Sequence, residues 1–302
     1  MVGDIMRKTI FDLLDKSISF VDEYERLSSM VYKDKCINYN GDNYSYIEIF
    51  DKFLADWKYR GAMTSYYEIA ENIGLVDYPS YSSEESCLYL CELILNVRSF
   101  LLYKKNIIEP TEEVFCGYHT IAVEEMPNLT LNDKLIYDNV NYVISKLGYK
   151  EIKEEEYKIT LIRDNADAIS TALLVEEESL ASLILNYNDF KIANNVEVKR
   201  QIIFNIGKYF EPKRNKLKEI NSKLETNIFM ALNNFHIRHN NISGKDKIAY
   251  IAKLSDEEFL DLYDKTYHLL LLAFRLIQLP NIIKEFEDIR QGKLSQKEES
   301  PF

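Results

Sequence analysis

Apolar residues recur at three- and four-residue intervals along almost the whole chain, the spacing that lays one face of an α-helix against a core. Ile10, Leu13, Leu14, Ile18 and Val21 open the pattern and predict a first helix running to about Val31. CINYNGDNYS interrupts it with turn residues, and Tyr46–Tyr59 resumes it through Ile49, Phe50, Phe53 and Trp57. A third helix is expected over Thr64–Ile73, stopped by Gly74. Ser83, followed by Glu84 and Glu85, suits a helix entrance, where carboxylates favour the positive end of the peptide dipoles. Leu88, Cys91, Leu95 and Leu102 then make the following helix apolar over much of its circumference, which predicts central burial. Asn132–Leu147 is a further helix closing at Gly148, and Val114–Val123 reads as either a short strand or a loop.

The charged run YKEIKEEEYK marks a boundary near residue 150. Beyond it, Ile159, Ile162, Ala166, Ile169 and Leu173 predict one long helix or a broken pair over Glu156–Tyr187. Val196–Tyr209 and Leu217–Ile242 follow as helices, separated at Pro212. Ser255 with Glu258 three residues on is a capping-box signal for a last long helix, which Pro280 is expected to end. The reading is an all-α, multi-helix protein. Residues 1–150 form an N-terminal helical region and residues 151–302 a C-terminal helical bundle.

Composition narrows the function classes. The 302 residues carry a formal charge of -12, with 46% apolar and 28% charged positions, which is ordinary globular material. Nine Gly and six Pro argue against a glycine-rich nucleotide scaffold, and none of the common phosphate-loop, zinc-protease or serine-hydrolase motifs occurs. No cofactor is expected. Cys36, Cys87, Cys91 and Cys116 lack zinc-ligand spacing, so a reducing compartment and small buried apolar roles are expected. No signal-peptide core opens the chain, and the apolar run Leu269–Phe274 is far short of a bilayer span. The expectation is therefore a cytoplasmic protein without a membrane partner.

Charge is segregated. Residues 199–253, from Lys199 and Arg200 to Lys253, hold twelve Lys or Arg against Glu211, Glu219, Glu225 and Asp246, a net of +8 on an acidic chain. Such a segment attracts a polyanion or pairs with acidic helices of the same chain or a partner protein. Both readings stay open.

NNFHIRHNNISGKDK is the constellation that bears chemistry. If the helix continues through it, His236, His239, Asn240 and Ser243 share one stripe, with Arg238 about 100° from His239. Imidazole moves protons near neutral pH, and guanidinium grips phosphate through parallel hydrogen bonds. Together they supply what metal-free cleavage of an RNA phosphodiester needs, with His239 or His236 as base or acid. Ser243 and Asn240 would orient, and Lys245, Lys247 and Asn240 would hold phosphate. The same residues equally suit a structural lock at a helix end closed by Gly244. No carboxylate or thiol completes a metal site around His236 and His239. His119 is isolated in sequence, and His268 reads as a core histidine able to approach His239.

IRHNNISG resembles the signature of the HEPN superfamily of helical bundles, an Arg followed by a polar residue and a His shortly before Gly. Arg238 takes the arginine's place, His239 the polar one and Gly244 the glycine, while Ser243 stands where the histidine is expected. The resemblance covers roughly residues 156–280. It implies an antiphage or toxin-type bacterial protein of the abortive-infection kind, acting on RNA as a homodimer. The competing function is a non-catalytic helical interaction module, whose acidic surface recruits a protein partner.

Overall fold

The computed structural model describes residues 19–39, 41–75, 83–108 and 128–291. These are mostly helical, with two small antiparallel sheets, and they fall into two compact units that meet in sequence at Arg163 and Asp164.

In the first unit, Ser19 caps helix α1 (Phe20–Lys33), which buries Tyr24, Leu27 and Val31. CINYNGDNYS is more than a break. Ile37–Tyr39 (β1) and Asp42–Tyr44 (β2) form a hairpin, with Gly41 at φ 83 in a left-handed turn conformation that a side chain resists. Ser45 and Glu48 make a reciprocal capping box for α2 (Tyr46–Phe53), and Ser65 caps α3 (Tyr66–Asn72). Helix α4 (Glu84–Ile108) buries residues around its circumference, among them Leu88, Leu90, Leu93, Leu95 and Phe100. Over Glu84–Lys104 it is the one described helix long and apolar enough to cross a bilayer. Asn128–Leu129 (β3) pairs with β1, and Thr130 caps α5 (Leu131–Lys146). Val114–Val123, His119 and Cys116 lie outside the described residues. Cys36, Cys87 and Cys91 are free and buried, and burial pushes the Cys36 thiol up to about 12.

The expected helix from Glu156 is corrected by the structure. Tyr149–Lys153 (β4) and Ile159–Arg163 (β5) form a hairpin with four of the five β5 residues buried. A strand in a two-stranded sheet leaves one edge of peptide groups unpaired, and burying such groups is costly. Helix α4 supplies the partners: Asn96 donates to the Ile159 carbonyl at 2.7 Å and accepts from its N–H at 3.0 Å, and Glu92 accepts from Leu161 N–H at 2.9 Å. The hairpin therefore belongs to the first unit, and the boundary falls after it.

The second unit is helical throughout its described elements. Asn165 caps α6 (Ala166–Leu173), followed by α7 (Glu178–Asn186), α8 (Val196–Phe210), α9 (Arg214–Ile220), α10 (Ser222–Asn234) and α11 (Asp256–Arg290). Ile203, Ile206 and Phe210 of α8, Ile228 and Leu232 of α10, and Tyr263, Leu270 and Phe274 of α11 share one core. Gly207 lets α8 and α10 approach closely, since a Cβ there would stand 2.9 Å from a Leu232 methyl. Ser255 and Glu258 form the capping box the sequence announces, but α11 runs through Pro280 to Arg290. Proline removes one N–H, which would have bonded the Leu276 carbonyl; the helix tolerates that loss where Pro280 itself is exposed.

Candidate functional site

Helix α10 is anchored by Leu224, Ile228, Phe229 and Leu232 and stops at Asn234. It does not continue to Ile242. Phe235 N–H still bonds Ala231 O at 3.0 Å, but His236 turns to φ 59, the one non-glycine in the left-handed region among the described residues. Arg238 N–H then folds back onto Leu232 O at 3.0 Å. His236, His239, Asn240 and Ser243 are consequently loop residues, and the helical stripe expected to unite them does not form.

Asn241 organises this loop. Its side chain is buried, with Oδ1 accepting from His236 N–H at 2.8 Å and Nδ2 donating to Asp246 O at 3.2 Å. Its own N–H reaches His236 Nδ1 at 3.3 Å and His239 O at 3.0 Å, and its carbonyl accepts from Ile248 N–H at 2.8 Å. Ile237 plugs the core beneath, and its carbonyl accepts from Arg200 Nη1 at 3.0 Å. Asn240 and Ser243 bond each other at the exposed tip, through Asn240 Nδ2 to Ser243 Oγ at 2.9 Å and Ser243 N–H to Asn240 Oδ1 at 3.1 Å. Gly244, at φ 73, then opens a short 3-10 turn carrying exposed Lys245 and Lys247.

Arg238 is turned inward, its side chain 13% exposed. Nη2 lies 2.7 Å from Glu211 Oε1 without the alignment of a hydrogen bond, and Nη1 reaches Asn233 Oδ1 at 3.3 Å. The guanidinium sits 5.2 Å from the Phe229 ring, whose centroid is also 4.2 Å from the Arg214 guanidinium. Burial lowers the Arg238 pKa from its ordinary value; Glu211 opposes that shift and Arg214 adds to it.

The described histidines have different surroundings. His239 is exposed. His236 has its ring 6.2 Å from Phe259, near the start of α11. His268, expected in the core, is exposed on α11 nine residues beyond Phe259, because the buried positions there are Tyr267, Leu270 and Leu271. Among the described residues, no group of three or more His, Cys, Asp or Glu is placed to hold a metal ion.

The basic segment divides. Lys199 is 7% exposed and donates to Asp264 Oδ1 at 2.8 Å, where the Tyr187 hydroxyl also donates at 2.8 Å. Tyr187 stacks on Tyr267 with ring centroids 4.0 Å apart, and burial, helped by Asp264, drives the Tyr187 phenol far above its ordinary pKa. Arg200 pairs with Glu197 at 2.6 Å, and Arg214 with the buried Glu225 at 2.6 Å. Lys216, Lys218, Lys223, Lys245, Lys247 and Lys253 are exposed and make no ion pair among the described residues. The Lys199–Asp264–Tyr187 cluster escapes sequence reasoning, since nothing local links Asp264 to residues more than sixty positions before it. Comparison of the chain with protein-family models, with curated proteins and with solved structures finds no match.

Proposed function

We propose that the second unit is a non-catalytic binding module that takes a polyanion, RNA first among them, on lysines left outside its internal ion pairs. The observation that carries this reading is the engagement of Arg238. A guanidinium 13% exposed, close to Glu211 and bonded to Asn233, is committed to the fold and is not free to grip a phosphoryl oxygen in a developing transition state. The HEPN-like resemblance then concerns the place of Arg238 and Gly244 in the chain, and an antiphage or toxin-type role would be exercised by binding. Ser243, in the histidine's place, is bonded to Asn240 and has no group able to exchange a proton near neutral pH. Lys245 and Lys247 are exposed on and just after the turn whose Asp246 carbonyl is held by Asn241, so the backbone that presents them is fixed.

The test has two arms. Fluorescent single-stranded RNA should bind the native chain, and Lys245→Glu with Lys247→Glu should weaken binding and lower the salt slope by about 1.4, at ~0.7 per lost phosphate contact. In chelator, native chain, Arg238→Ala and His239→Ala should all leave a panel of cellular RNAs intact. Cleavage by the native chain that either substitution abolishes would replace binding with catalysis.

A further inference from the structure

Every buried residue of α11 lies between Phe259 and Ile277, so the helix leaves its own core well before it ends at Arg290. Its apolar character does not stop there. Leu272, Leu279, Ile283, Phe286 and Ile289 are 46%, 46%, 50%, 69% and 55% exposed. At 3.6 residues per turn, Leu272, Leu276, Leu279, Ile283 and Phe286 lie roughly opposite the side formed by Tyr263, Leu270 and Phe274. The helix thus carries two apolar faces: one is spent on the unit's core, and the other, Leu276 apart, is exposed.

The outer face has a specific rhythm. Leu272, Leu279, Ile283 and Phe286 are spaced seven, four and three, the interval at which two helices pack side by side, while Leu276, inside the first gap, is packed against the unit's own core. Of the flanking positions, Ala273, Arg275, Pro280, Ile282, Glu287 and Ile289, two are charged, and Arg275 is already paired with Asp167 of its own unit at 2.9 Å. Charged flanks are what allow a helix seam to select an unlike partner and reject its own kind. With Arg275 engaged inside its own unit and Glu287 the other flanking charge, a second copy meets no row of like charges. Leu272, Leu279, Ile283, Phe286 and Ile289, at ~100 Å² of exposed surface each, would remove ~1,000 Å² from water over two copies, the lower limit for a specific interface.

We infer that the outer face of α11, from Leu272 to Ile289, is a self-association surface that pairs two copies of this chain helix against helix. This interface is separate from the Arg238–Gly244 loop and does not depend on what the lysines bind.

Sedimentation equilibrium of the full chain from about 1 to 100 µM tests it, since dimers of this size range dissociate across such concentrations. The mass of the native chain should rise towards twice the chain mass across this range, and Ile283→Glu with Phe286→Glu should weaken association at least ~30-fold at unchanged far-ultraviolet circular dichroism. As a measurement that does not perturb packing, Ile283→Cys should be captured as a dimer by a short bis-maleimide, above the native chain's background. A native monomer throughout the range, a dimer indifferent to the double substitution, or no added cross-link at Cys-substituted Ile283 would each overturn the inference.

Discussion

Arg98 in the first unit and Arg238 in the second are both drawn inward against a carboxylate, and the two are settled differently. In the first unit, Arg98 bonds Asp133 through both Nε at 2.9 Å and Nη2 at 3.0 Å, the planar fork meeting a carboxylate 5% exposed. The Tyr46 hydroxyl donates to the same carboxylate, and Arg98 lies 4.2 Å from the Tyr137 ring centroid. Burial works against the Arg98 charge, yet Asp133 more than offsets it and holds the guanidinium above its ordinary pKa. In the second unit Arg238 meets one oxygen of a Glu211 that is 52% exposed, leaves Nη2 without an aligned bond, and is pulled down. Asp133, 5% exposed, is left charged with little access to water when the Arg98 fork is removed, whereas Glu211, 52% exposed, can lose Arg238 at little cost.

The largest effect should come from Asp133→Ala. It strands the Arg98 fork and a buried Tyr46 hydroxyl together, and a loss of about 4 kcal/mol in urea unfolding is expected. Arg98→Met should cost about 3 kcal/mol, because Asp133 is then left charged with little access to water. Asn241→Ala is expected to cost about 2 kcal/mol, since His236 N–H and Asp246 O each lose a partner. Arg238→Met should lie within about 1 kcal/mol of the native chain, its stem still covering Phe229 while Glu211 turns to solvent. Equal losses for Arg98→Met and Arg238→Met would break the contrast between the two arginines.

The smallest effect is acid-dependent. Hydrogen bonds from Arg200 and Gln201 lower the Glu197 pKa from 4.5 to about 2. A carboxylate depressed in the folded state stabilises fully above its ordinary value, and that contribution fades as pH falls through the folded one. The stability difference between the native chain and Glu197→Gln should therefore shrink from pH 4.5 towards 2, with a small amplitude because Glu197 is 64% exposed. An unchanged difference across that window would show that Arg200 holds the Ile237 carbonyl without help from Glu197.

How much of this was legible depended on whether the deciding forces were local. Ser255 with Glu258, Ser83 before α4 and Gly148 after α5 act within one turn, and their elements stand where the sequence places them. Strand β5 was misread because Ile159 and Ile162 fit helical spacing, while the edge-covering Asn96 lies 63 residues away. The end of α10 was misread because Phe235 and Ile242 prolong the apolar period. Asn241 competes for the backbone there, and side-chain amides next to turn-forming glycine defeat a helix that periodicity alone would extend. The candidate site suffered most, because its expected geometry assumed that helix. The inward turn of Arg238 depends on Glu211 and Phe229, which the spacing around the motif does not reveal.

The hairpin of β4 and β5 has a practical bearing on dissecting this chain. A fragment cut near residue 150 and meant to carry the bundle alone would inherit Ile159–Arg163 without Tyr149 and Lys150, and without the α4 amide that caps its edge. Four sticky side chains and a bare row of peptide groups would then lead the fragment, a recipe for insolubility that says nothing about the helices behind it. Expression should begin at Asp164.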